Sequence, residues 1–148
     1  MKANLPPAGL VSFVVVVLLV LSVPLRMAVA EVVVVTSAKN PVATLTRYDV
    51  IDIFLGRANR FPDGSQAVAI DQDEGSAARE EFYSGVVGVS AAQLKAHWSK
   101  IIFTGRGQPP EHVSNGGAVK KFLGDHPDAI GYIERELLDD SVKEVLVQ

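Results

Sequence analysis

No cysteine occurs anywhere in the 148 residues. That excludes a disulfide framework, thiolate chemistry and lipoprotein-type acylation, since each begins at a sulfhydryl. Histidine is scarce as well. His97, His112 and His126 stand at no metal-ligand spacing, and each reads as a surface or capping residue. Neither Gly-x-Ser-x-Gly nor His-Glu-x-x-His is present, so hydrolase chemistry has no motif to rest on, and no nucleophile–base pair is visible. An excess of basic side chains is also missing, which argues against a nucleic-acid partner.

What the sequence does have begins at its amino end. Lys2 opens a short polar start, and the apolar run Leu10–Leu21 follows. Pro24 breaks the run, and Ala28-Val29-Ala30 gives the small-x-small pattern that signal peptidase accepts. A spanning helix wants about 20 apolar residues, and this run ends short of that. Residues 1–30 are therefore expected to be a cleavable signal peptide, residues 31–148 one domain, and the protein periplasmic or otherwise extracytoplasmic. No stable membrane span is expected after cleavage. The rival reading is retention as an anchor. Cleavage removes Lys2 and Arg26 and leaves 118 residues with 12 basic against 17 acidic side chains, a formal charge of −5 where the full chain carries −3. A chain of that length holds one domain with its own core. The positive mean hydropathy is carried by the signal.

Beyond Ala30 the pattern alternates between strand and helix. Glu31–Thr36 is β-branched and apolar on both faces, as suits a strand covered on both sides in a parallel sheet. Thr46 with Asp49 starts a helix in which Val50/Phe54 and Ile51/Leu55 pair at helical spacing, and Gly56 stops it. Ala67–Ile70 reads as a second strand. Ser76 can cap a helix carrying Ala78, Phe82 and Val86. Ser90 and Gln93 make a capping box for a helix with Leu94, Trp98 and Ile101 on one stripe. Ile101–Phe103 is a candidate strand, Thr104–Pro110 a loop, and Ala118–Leu123 a helix stopped by Gly124. Ala129–Ile133 and Val142–Val147 are expected as the last two strands. Such alternation predicts an α/β domain with helices on both faces of the sheet.

The segment richest in chemistry is Asp71-Gln72-Asp73-Glu74-Gly75-Ser76, which joins a strand to a helix. Ligands of open α/β sheets sit beyond the carboxyl ends of strands, and a helix start offers free N–H groups to an anion. A plain helix cap explains Ser76 equally. Asp71, Asp73 and Glu74 are cation-type ligands, but a calcium loop wants more oxygens at fixed spacing, and its late glutamate is absent. The same acids would repel an anion. Arg106 and two glycines in the Thr104–Pro110 loop could touch an anion or simply form a rigid turn.

Taken together, three segments carry a likeness: Asp52-Ile53-Phe54-Leu55-Gly56, Asp73-Glu74-Gly75-Ser76, and Pro127-Asp128-Ala129-Ile130-Gly131-Tyr132. In order and separation they resemble the phosphate-binding components of ABC transporters, which are type II periplasmic binding proteins. The likeness runs from about Val32 to Ile133. It implies a three-layer α/β sandwich, and the chain has residues for one of that family's two lobes. It is thus similar to short, single-lobe phosphate-transporter substrate-binding-like proteins. The family's anion loop reads roughly Arg-Ser-Asp-Gly-Ser-Gly-Thr. Here Gln72 stands in the arginine's place, Ser76 keeps the serine, and Ala77 and Ala78 replace the glycine and threonine. The resemblance implies a weakened oxyanion site at Gln72, Gly75, Ser76, Ala77 and Ala78, with phosphate or another small oxyanion as a weak ligand. It implies no catalysis, no cofactor and no metal. An ABC transporter permease or another envelope protein is the implied partner. An interaction module that has lost ligand binding is the alternative.

Overall fold

The structure is a computed structural model that describes residues 2–3 and 30–148. The expected signal peptide lies almost wholly outside the described residues. In chain order the elements are β1 (Val32–Ser37), β2 (Thr44–Leu45), α1 (Arg47–Phe54), β3 (Val68–Gln72) and α2 (Ala77–Glu81). A π-helical stretch (Phe82–Val87) continues α2, followed by α3 (Ala91–Phe103), β4 (Glu111–Val113) and α4 (Gly116–Asp125). β5 (Ala129–Glu134), a 3-10 turn (Arg135–Leu137), β6 (Val142–Glu144) and β7 (Leu146–Val147) complete the chain.

Five strands form one mixed sheet in the order β4-β3-β5-β1-β6. β3 runs parallel to β4 and β5, so the carboxyl ends of these three strands meet at one end of the sheet. One interior strand departs from expectation, because β1 is antiparallel to both neighbours. Its apolar run records burial on both faces, and burial does not encode direction. Val34 points into a core with Phe54, Phe82, Trp98 and Tyr132. Val33 and Val35 point the other way, to Val119, Leu123 and Ile133. α1, the α2–π segment and α3 cover the first face and α4 the second, which makes the expected three layers.

Several local expectations are corrected. Ile101–Phe103 is the last turn of α3 and not a strand; the stripe of Leu94 and Trp98 extends through it. A short apolar triplet fits either period, and the capped helix before it decides. Val142–Val147 divides into β6 in the main sheet and β7, which pairs with β2. Helix α4 is longer than expected. It starts where Asn115 accepts a bond from Ala118 N–H and passes through Gly124 to Asp125. The short strands β2 and β4 lack the apolar run that would have marked them.

Two features position the end of the sheet that matters below. The rings of Phe82 and Tyr132 stack 4.1 Å apart and nearly parallel, with Phe54 4.6 Å from Phe82. Burying each such ring stabilises the fold by roughly 1.5–3 kcal/mol, and together they fix where the Tyr132 hydroxyl ends. At Gly131 a Cβ would stand 2.7 Å from Val119 and 2.9 Å from Ile70. Glycine there lets α4 close on the sheet.

Candidate functional site

The carboxyl end of β3 is built around one carboxylate. Asp71 is buried, and its Oδ1 accepts the Gln72 N–H at 2.8 Å and the Tyr132 hydroxyl. Its Oδ2 accepts the Tyr83 hydroxyl at 2.8 Å and Arg79 Nε at 3.3 Å. An ionised carboxylate taken from water needs this many donors to offset its lost hydration. Burial first, and then the Asp71 charge, push both tyrosine hydroxyls well above their ordinary pKa, so they remain protonated donors. Burial opposes the charge of Arg79, but Asp71 and the tyrosine oxygens outweigh it and hold the guanidinium above its ordinary value.

Arg79 is the residue that the sequence reading missed. Its Nε is engaged by Asp71, its carbon lies 5.3 Å from the centre of the Tyr83 ring, and neither terminal nitrogen has a partner among the described residues. It borders an open cavity of about 380 Å³ with Asp71, Gln72 and Glu74 on one side and α3 on the other. Helical spacing alone puts Arg79 three residues after the Ser76 cap. Only the turn between β3 and α2 brings it back to Asp71.

The expected site residues are dispersed around this turn. Gln72 is buried, and its side-chain amide donates to the Tyr132 carbonyl at 3.0 Å; it borders the cavity. Gly75 takes a left-handed conformation (φ 86°) that turns the chain into α2. Ser76 Oγ caps the helix by accepting Arg79 N–H at 3.2 Å, and its own proton has no acceptor among the described residues. The N–H groups of Gly75, Ala77 and Ala78 also have no acceptor among them. Ala78 is buried, with its methyl packed into the core. Of the acids, Asp73 is bound to His112 Nδ1 at 2.6 Å, while Glu74 is exposed. His97 bonds the Leu55 carbonyl at 2.8 Å, and His126 stacks on Phe122, so the histidines lie apart.

No protein-family model matches the chain, and no curated protein sequence is similar to it. Solved structures do match. One is a phosphate ABC transporter substrate-binding protein from Clostridium perfringens with bound phosphate: TM-score 0.62, 26% identity, 78% of this chain and 44% of that one. A second is an ABC-type phosphate transport receptor from Vibrio cholerae, with TM-score 0.62, 21% identity, 78% of this chain and 45% of that one. A third is PstS from Borrelia burgdorferi, at TM-score 0.60 and 14% identity over 79% of this chain and 47% of that one. The fold is thus the α/β fold of phosphate transporter substrate-binding proteins, and the chain spans less than half the length of those it matches. The likeness expected from the sequence thus holds for the fold.

Among the described residues no helix is long and apolar enough to cross a membrane.

Proposed function

We propose that this protein is an extracytoplasmic, non-catalytic solute-binding-like protein related to phosphate transporter substrate-binding components, with a weakened oxyanion site. The observation that carries the reading is the turn from β3 into α2, where the N–H groups of Gly75, Ala77 and Ala78 and the Ser76 hydroxyl proton have no acceptor among the described residues, while Gln72 alone of the expected site residues borders the neighbouring cavity. The contacts would come from the Ser76 hydroxyl and the N–H groups of Gly75, Ala77 and Ala78, with Gln72 assisting. Weakness follows from chemistry. Glutamine cannot supply the charged bidentate grip of arginine, and Gln72 already spends its amide on Tyr132. An open half-site also leaves much of a ligand in water, whereas tight pockets enclose most of it.

Isothermal titration of inorganic phosphate into the purified protein, at low salt and neutral pH, tests this. Weak saturable heat is expected, on the order of millimolar affinity (about 4 kcal/mol). Ser76→Asp should abolish it by charge repulsion while thermal unfolding stays cooperative, because aspartate also caps a helix. Heat that persists unchanged in Ser76→Asp would remove this turn from the site.

A second reading is an envelope interaction module that docks on a permease or another envelope protein. It is favoured by Phe103 and Ile102, 92% and 48% exposed at the end of α3. An absence of any phosphate heat would favour it. Export with cleavage after Ala30 belongs to both readings, and amino-terminal sequencing of the exported protein should begin at Glu31.

A further inference from the structure

The cavity beside β3 differs from a plain oxyanion cup in its walls. Opposite Arg79, α3 presents Leu94, Trp98 and Ile102, and Pro109 and Pro110 close the side. Its volume of about 380 Å³ falls in the range of roughly 300–1,000 Å³ that holds organic ligands, which bury apolar bodies and orient them by a few polar groups. A tetrahedral ion would leave most of that space and all of that apolar wall unused.

Charge narrows the choice. Arg79 is matched by Asp71. Lys95 and Glu74, both on the cavity and without an ion-pair partner among the described residues, carry opposite signs. The four formal charges sum to zero, so a doubly charged anion meets no net attractive field. A monocarboxylate needs less. Two parallel N–H···O bonds from a guanidinium fork satisfy it, and here Asp71 on Nε and the Tyr83 ring hold the fork in place beforehand.

The geometry points to a monocarboxylate bearing an apolar body, an aryl or branched alkyl acid, as the solute of this cavity. Its carboxylate lies on the two terminal nitrogens of Arg79 and its body on Trp98 and Ile102. This rests on the reading that this end of the sheet binds a solute, and it replaces phosphate as the preferred one.

Trp98 is the only tryptophan in the chain, so its fluorescence reports from the cavity wall. The purified protein is titrated with 3-phenylpropanoate, acetate, 3-phenylpropanol and inorganic phosphate at neutral pH. The aryl acid should saturate at least tenfold more tightly than the other three, since it alone combines a bidentate charge contact with apolar burial. Arg79→Lys keeps a cation beside Asp71 but removes the fork, and should weaken the aryl acid roughly tenfold. Ile102→Ser, at a half-exposed side chain, should weaken it a few-fold and keeps the test available should Arg79→Lys not fold. Phosphate binding more tightly than the aryl acid, the alcohol binding as well as the acid, or wild-type affinity in the folded variants would overturn the assignment. Phosphate binding without aryl-acid binding leaves the solute site standing and sinks only this ligand class. Silence from all four overturns the assignment, while the phosphate reading is decided separately by its calorimetric titration.

Discussion

At the scale of single residues, Asp71 organises the end of the sheet, because Arg79, Tyr83, Tyr132 and the Gln72 N–H all converge on it. Asp71→Asn should cost about 2 kcal/mol in urea unfolding, since it strips a partly buried guanidinium of its counter-charge and two buried hydroxyls of a charged acceptor. The tyrosines give the protein an alkaline limit. Their folded pKa values lie above the unfolded value near 10.0, so above that pH the unfolded chain releases protons that the folded one keeps. Stability is therefore complete below about pH 10 and falls as pH rises further, by up to about 1.4 kcal/mol per pH unit for each tyrosine. Tyr83→Phe should make that decline shallower in urea melts run from pH 8 to 11; an unchanged slope would contradict the account. Little of this was legible in the sequence. Asp71 stood out as an acid at a strand end, but in a run with Asp73 and Glu74 it showed only a cation-type donor without the spacing of a metal site. Residues 71 and 79 have no shared period, so no pattern pairs them.

At the scale of elements, legibility followed the strength of local signals. Ser90/Gln93 forms the reciprocal capping box that its spacing predicts, and Thr46, expected as a cap, forms one with Asp49 as well, because a cap is decided within four residues. The strand β1 was visible from its apolar run and its direction was not, since direction depends on β5, about a hundred residues away. Packing between elements was equally hidden. Gly131 looked like one letter of a motif, whereas its role is to let Val119 of α4 approach β5. Gly131→Ala should destabilise the protein by about 1–3 kcal/mol through overpacking. Guanidinium unfolding measures this, and the main effect should be a lower midpoint at constant slope.

At the scale of the whole molecule, the chain supplies one three-layer unit matching less than half of each phosphate transporter structure it resembles. The layered class was readable because alternating helical and strand periods leave few ways to bury both faces of a sheet. The cavity was not readable, since its walls come from β3, α3 and the loop before β4, which only tertiary packing brings together. The central claim is that the turn from β3 into α2 receives an oxyanion. The most direct measurement is a titration of isotope-labelled protein with inorganic phosphate, followed by amide chemical shifts. The account predicts saturable shifts concentrated at Gly75, Ser76, Ala77, Ala78 and Arg79. Shifts confined to other parts of the molecule, or none at high phosphate, would contradict it.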